Sequence, residues 1–272
     1  MPTARWDIER EVDLIEEIAI IYGYNNIATT LPSAPAHPGL LTREQRLEER
    51  ARAALRAMGL QENVSFSMMG ERELDACGLP PDSPERNALR LRDPMSAEEA
   101  LMRTTMLPAV LRAARHNARQ RVRDVALFDI GRVFLPGPGK LPAEPLRLAI
   151  LVTGGVMTSA WNVPREHAEA DFYWLKGVVE QLAQALYIED LGFARAQHPS
   201  MHPGRCAAVL LAGRQIGVLG EVAEEVREAW DLAGPTYVAE LDLDALLAAA
   251  SLQARYRQLP RLPAALRDLA VV

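Results

Sequence analysis

Between Val125 and Val222 three short apolar runs read as strands or hairpins, parted by a loop and by one helix. This pattern leaves few choices of fold. Leu146, Leu148, Ile150 and Val152 alternate cleanly, and the apolar run Val125 to Phe134, punctuated by Gly131, reads as one bent strand or a strand pair. A Pro- and Gly-rich loop, 136–145, separates the two runs. Arg205 to Val222 predicts a hairpin turning near Gly213, and Tyr237 to Leu241 predicts one more strand. Upstream, Val64, Phe66 and Met68 alternate with polar residues as in a half-buried strand, and Leu89 and Leu91 suggest another before the turn at Asp93-Pro94.

Helical periodicity occupies the intervals. It predicts helices over 11–22, 42–58, 107–119, 171–186 and 242–249. Thr42 and Gln45 have capping-box spacing, Gly23 and Gly59 follow the first two helices, and Pro108 falls in the first turn of the third. Strands joined by hairpins and by helices of varied length, without regular βαβ alternation, define an α+β chain with a largely antiparallel sheet flanked by helices. No internal repeat of fixed period is visible.

At 272 residues with 49% hydrophobic side chains, the chain has length and apolar content for a substantial core. The formal charge of −6 argues against a protein built mainly to grip nucleic acid. Two cysteines, Cys77 and Cys206, do not make a disulfide framework, and a reducing cytoplasm is the expected setting. No apolar run reaches membrane-spanning length, so no membrane partner is expected. Both ends read as cut from something longer: the chain enters a helix within about a dozen residues, and Arg267 to Val272 reads as a strand without a successor.

Three constellations invite a chemical reading. Asp13, Glu16 and Glu17 project from neighbouring positions of the first helix and Asp7 lies just before it, an oxygen set that suits a hard cation such as Mg²⁺. An acidic first turn favoured by the helix dipole accounts for the same residues. His198, His202 and Cys206 are spaced like zinc ligands, but Pro199 and Pro203 break any common face and no fourth ligand lies nearby, so structural residues are the better reading. Arg112, Arg115 and Arg119 share a helical face, with Arg121 and Arg123 beyond, and either touch RNA phosphates or form a solvated face. Gly137 to Lys140 lacks the spacing of a phosphate loop. No Ser-His-Asp or Cys-His set and no dinucleotide-binding glycine motif is present.

Taken in order, several short motifs resemble one family. Arg5-Trp6-Asp7-Ile8, Asp13-Leu14-Ile15-Glu16-Glu17 and Ile21-Tyr22-Gly23-Tyr24 are similar to the end of the small domain that precedes the catalytic-like domain in beta subunits of bacterial phenylalanyl-tRNA synthetases. Asp93-Pro94-Met95-Ser96, Met102-Arg103-Thr104-Thr105-Met106-Leu107-Pro108, Leu127-Phe128-Asp129-Ile130-Gly131-Arg132-Val133-Phe134, Asp171 to Gly177 and Met201 to Arg205 resemble motifs of the catalytic-like domain itself. Arg267-Asp268-Leu269-Ala270 looks like the start of the anticodon-binding domain.

The resemblance implies a division into 1–30, the end of the small domain; 31–41, a linker; 42–258, a catalytic-like domain of the class II aminoacyl-tRNA synthetase type; and 259–272, the start of a further domain. It implies that Asp7, Asp13, Glu16 and Glu17 bind Mg²⁺ at a site shared with an alpha subunit. It implies an assembly of two alpha and two beta subunits that joins phenylalanine to its tRNA, with ATP and tRNA bound by the whole enzyme. The helix over 42–58 corresponds to the family's motif-1 helix, so its stripe Leu47, Ala51, Ala54, Leu55 and Met58 is expected at the subunit contact. No catalytic residue is expected: Arg132 is not placed as the class II ATP-binding arginine is, and Tyr237 to Asp244, where the last ATP-binding motif falls, has neither glycine nor arginine. The expected role is architectural and the chain is expected to be inactive as a ligase alone; the competing reading is an RNA-binding module using 107–123.

Overall fold

The computed structural model describes residues 4–31, 39–139, 141–156, 169–254, 256 and 267–268. They fall into two units, Met1–Leu40 and Leu41–Val272.

The first unit contains the helix α1 (Glu11–Tyr22), in the interval the periodicity predicts, followed by a short 3₁₀ turn at Tyr24–Asn26. Gly23 closes α1 at φ 91°, where its N–H donates to the Ala19 carbonyl. No residue of α1 is buried. Residues 4–7 lie in turns and irregular backbone before α1.

In the second unit, α2 (Arg43–Ala57) starts on the predicted capping box: Gln45 N–H donates to Thr42 Oγ1 at 3.2 Å, and Thr42 N–H donates to Gln45 Oε1 at 2.9 Å. A seven-stranded sheet follows. Its strands are β1 (Gln61–Asn63), β4 (Val125–Arg132), β5 (Leu146–Thr153), β6 (Leu191–Arg195), β7 (Met201–Leu211), β8 (Arg214–Val222) and β9 (Thr236–Asp242), in the order β1-β4-β5-β9-β8-β7-β6. All neighbours are antiparallel except β1 with β4. Two-residue strands β2 (Met68–Met69) and β3 (Leu101–Met102) pair separately. Ala212 and Gly213, with φ of 48° and 78°, make the tight turn between β7 and β8 at the predicted place.

Period-two alternation sends the strand side chains to two cores. One face, carrying Phe128, Leu148, Ile150, Val152, Ala239 and Leu241, is covered by α2, α5 (Phe172–Ala185) and α7 (Leu243–Ala249). The other, carrying Val125, Leu127, Ala149, Leu151 and Val238, is covered by α4 (Leu107–Arg119) with the short helices α3 (Glu71–Ala76) and α6 (Glu224–Ala229) nearby in the same core. The helices begin where side chains satisfy the first amides: Asp171 Oδ1 accepts from Trp174 N–H at 2.6 Å, and Asp242 Oδ1 from Ala245 N–H at 3.0 Å.

Two strand expectations need correction, and one open alternative is decided. Val64 and Phe66 are not half-buried; the chain leaves the sheet after Asn63, and they stand exposed between β1 and β2. Around Leu89 and Leu91 there is only an isolated bridge, Arg90 to Leu101. Val125 to Phe134 is one strand, ending at Arg132. The sequence reading had no counterpart for β6, α3 or α6. The strand read into Arg267 to Val272 lies largely outside the described residues.

Candidate functional site

The polar groups of the sheet gather on the α4 face, at the end where β4 and β9 finish. Asp129 on β4 is buried and accepts from Asn63 Nδ2 on β1 at 2.7 Å. Glu240, on the central strand β9, accepts from Thr105 Oγ1 at 2.5 Å and from the Met106 amide at 3.1 Å. It therefore satisfies the approach to α4 much as a capping residue does. Burial raises the pKa of Glu240, against the hydrogen bond from Thr105 and the charge of Arg147. Arg147 on β5 pairs with Asp242 at 3.5 Å.

Arg103, just after β3, is 4% exposed. Its Nε donates to the Arg132 carbonyl at 2.7 Å, and its Nη1 donates to Ser65 Oγ at 2.8 Å and to the Phe66 carbonyl at 3.3 Å. Burial lowers its pKa, while the charges of Asp129 and Glu240 act the other way. The side chain crosses β4 at Gly131, where a Cβ would overlap the guanidinium and lie 3.0 Å from Cζ. The sequence motifs containing Arg103 and Gly131 are thus two halves of one contact. Composition and periodicity carry no signal of such a pairing between residues 28 apart.

Between α4 and the sheet lies a cavity of about 10 Å³, lined by Leu107, Val110, Ala149, His198, Val238 and Glu240 among others. That is about the least that holds one water molecule, and far below the ~300–1,000 Å³ of ordinary ligand pockets. A larger cleft, about 1040 Å³, opens beside the far end of α4, between Arg119, Arg121 and Arg123 and the acids Asp124, Glu169 and Asp231. Its charges partly engage each other or the backbone, Arg119 with Asp231 at 2.8 Å and Asp124 with the Gly155 amide at 2.8 Å. Among the described residues that line it, no nucleophile lies beside a base.

The four carboxylates expected at a metal are not gathered. Asp7 and Glu17 both pair with Arg5, at 2.9 and 2.5 Å. The Arg5 hydrogen bond holds Asp7 below its ordinary pKa. Asp13 Oδ2 accepts from the amides of Glu9 and Arg10 at 2.9 and 2.7 Å and so starts α1, and Glu16 is exposed. Among the described residues no three His, Cys, Asp or Glu side chains are placed to hold a metal. That statement also covers His198, His202 and Cys206: each histidine Nδ1 accepts from a backbone amide two residues on, and Cys206 is buried against Met201.

The stripe expected at a subunit contact faces the core of its own unit. Leu47, Ala51 and Leu55 are fully buried in the unit's own core, and Ala54 and Met58 pack against that core. The basic face of α4 is engaged by acids: Arg112 with Glu73 through two bonds of 2.8 and 2.6 Å, and Arg115 and Arg119 with Asp231 at 3.6 and 2.8 Å. Of the acids where an ATP-binding arginine was absent, Glu240 meets the start of α4, Asp242 caps α7, and Asp244 accepts from the Leu146 amide at 2.8 Å.

An antiparallel sheet backed by helices in this arrangement is the fold of the class II aminoacyl-tRNA synthetases. Solved structures of pyrrolysyl-tRNA synthetase from Desulfitobacterium hafniense align to 75% of this chain and 68% of theirs with a TM-score of 0.58 at 17% identity, and to 74% and 64% with a TM-score of 0.56 at 18% identity. Residues 27–243 match the phenylalanyl-tRNA synthetase beta chain CLM domain family, and residues 1–24 match the tRNA synthetase B5 domain. The chain belongs to the phenylalanyl-tRNA synthetase beta chain family. It is 44% identical to the phenylalanine–tRNA ligase beta subunit of Symbiobacterium thermophilum and 41% identical to that of Moorella thermoacetica, in both cases over its whole length. It spans about a third of these relatives, 30% and 34% of their lengths. No helix among the described residues is long and apolar enough to cross a membrane.

Proposed function

We propose that this chain is a non-catalytic, architectural part of a phenylalanine–tRNA ligase, carrying the synthetase fold as a platform for an alpha subunit that performs the ATP-dependent chemistry in the cytoplasm. The observation that carries the reading is the filled space between α4 and the sheet. A cavity of about 10 Å³ closed by Glu240 has no room for a phenylalanine side chain, and a carboxylate on β9 repels rather than neutralises a triphosphate. Phenylalanine-dependent pyrophosphate–ATP exchange tests this: the chain alone is expected to give the rate of a heat-inactivated control, and exchange above that control would overturn the reading.

The surface that best suits a partner is the segment after β1. β1 is an edge strand of the sheet, and Val64 and Phe66, which follow it, are 89% and 67% exposed. Two large apolar side chains next to an open strand edge favour burial against another chain. The partner is the alpha subunit, since the relatives are beta subunits by name. Phe66→Asp is expected to abolish co-elution with the alpha subunit in size-exclusion chromatography while leaving the melting temperature unchanged; normal co-elution would place the interface elsewhere. Magnesium shared with the alpha subunit, in a two-alpha, two-beta assembly that binds tRNA, belongs to the same reading. It requires the partner to draw Asp13 from the start of α1 and Glu17 from Arg5, so Mg²⁺ should bind measurably only in the assembled enzyme.

A further inference from the structure

Residues 65–67 form no part of the seven-stranded sheet, yet three hydrogen bonds fix them, and all three come from Arg103. Its Nη1 reaches Ser65 Oγ and the Phe66 carbonyl, and its backbone N–H donates to the Ser67 carbonyl at 2.9 Å. The same guanidinium is tied to the end of β4 through the Arg132 carbonyl, and the Arg103 carbonyl accepts from the Phe134 amide at 2.8 Å. Among the described residues no carboxylate forms a salt bridge with this buried cation. Arg103 spends its donors on a hydroxyl and on carbonyls of two separate segments. Gly131 keeps the crossing point clear.

We infer that Arg103 is a positioning residue for assembly: it braces residues 65–67 from behind against β4, so that Val64 and Phe66 are held outward in the form the alpha subunit meets. This inference rests on the interface reading above. Only a planar fork with separate Nε and Nη donors spans both segments at once. A lysine keeps the charge and presents one nitrogen, so it serves one segment and releases the other. A braced segment binds without first losing its own freedom, which is how preorganisation raises affinity.

The test uses the whole beta subunit co-expressed with the alpha subunit of the same organism. In Arg103→Lys, chymotryptic cleavage after Phe66 in the free beta subunit is expected to speed up by about tenfold or more while β4 and β5 stay protected. Association with the alpha subunit is expected to weaken by about tenfold, but by less than about twofold when Phe66→Ala is already present, because both changes act through one segment. Unchanged cleavage after Phe66 overturns the inference and leaves the interface standing. Equal loss of association in both backgrounds also overturns it, since a general loss of structure would not depend on Phe66. Normal assembly of Phe66→Asp instead overturns the interface reading and with it the role in assembly. If Arg103→Lys does not fold, Ser65→Ala decides: it removes only the hydroxyl acceptor, and chymotryptic cleavage after Phe66 must speed up at least about threefold for the inference to survive.

Discussion

Two helices in this chain carry apolar residues at helical spacing and meet opposite fates. α2 places Leu47, Ala51 and Leu55 wholly inside the core of its unit. α1 leaves Val12, Ile15, Ile18 and Ile21 54%, 56%, 66% and 86% exposed and buries nothing. Both intervals are legible from periodicity, because spacing determines whether a helix can form a stripe. What covers the stripe is decided by elements far away in sequence. α2 finds α5 and α7, more than 100 residues downstream, and Arg43 Nη2 donates to the Ala250 carbonyl at 2.6 Å to tie it there. Leu47, Ala51 and Leu55 therefore face inward, toward the core of their own unit. Large apolar side chains that stand exposed beyond the C-terminal end of α2 are Val64 and Phe66.

The sharpest way to break this comparison is to place one charge on each helix. Ala51→Glu buries a carboxylate with no partner and no space, and should cost more than about 4 kcal/mol. The second unit is expected to lose its cooperative thermal transition. Ile18→Glu, on a fully solvated helix, should shift that transition by less than about 0.5 kcal/mol. Circular dichroism melts of the two variants check this, and a folded Ala51→Glu chain would refute the packing of α2.

Glu240 sharpens the contrast within the second unit, where a polar group rather than an apolar stripe is drawn in against the sheet. Its pKa is raised by burial, so between the ordinary carboxylate range and that raised value the native state holds a proton that the unfolded chain has lost. The stabilising contribution is full at acid pH and falls as pH rises through that window. Glu240→Gln keeps an acceptor for Thr105 and Met106 and should flatten this dependence, leaving stability at pH 8 equal or higher. Glu240→Ala strands the Met106 amide and should cost about 1–3 kcal/mol. Urea melts from pH 4 to pH 8 distinguish the two.

The limits of the sequence reading follow the same division. Five predicted helices are present with ends within a residue or so, because caps and periodicity are local: Thr42 with Gln45, Asp171 with Trp174, Asp242 with Ala245. β6 escaped because Leu191–Arg195 has a glycine in five residues and owes its conformation to pairing with β7. The absence of an ATP-binding arginine was visible in Tyr237 to Asp244. What Glu240 does there was not, since its partners Thr105 and Met106 lie about 135 residues away. The acidic set Asp7, Asp13, Glu16 and Glu17 has metal-like composition, but Arg5 sits only two residues from Asp7 and can reach both it and Glu17.

Asp13 offers a smaller test, confined to α1. Removing its carboxylate leaves the Glu9 and Arg10 amides without their acceptor at the start of the helix. Asp13→Ala should destabilise α1 by about 0.5–2 kcal/mol. Amide exchange over 11–22 is expected to rise, and the melting of the second unit should not move. Unchanged exchange would mean that the capping interaction contributes nothing to α1.

The smallest effects belong to the arginines of α4, and they grade with burial along one face. Arg112 meets Glu73 through two bonds, with side chains 37% and 18% exposed, whereas Arg119 meets Asp231 with both side chains 58% exposed. Water screens the second pair, and holding two long side chains together costs rotamer entropy, so Arg119→Ala should change stability by less than about 0.5 kcal/mol and Arg112→Ala by about 1 kcal/mol. Both differences should shrink in 0.5 M salt, because the charges concerned stand at the surface. The same pairing bears on RNA. An arginine already neutralised by an acid releases little counterion when it meets a phosphate, so any affinity of this chain for RNA should fall only shallowly with salt. Arg112→Ala, Arg115→Ala and Arg119→Ala together should leave that slope within about one unit of its original value. A steep slope that collapses in the triple variant would mean that the acids let go of α4 when RNA arrives. The basic face would then be a nucleic-acid surface rather than a set of ion pairs holding α4 to its neighbours.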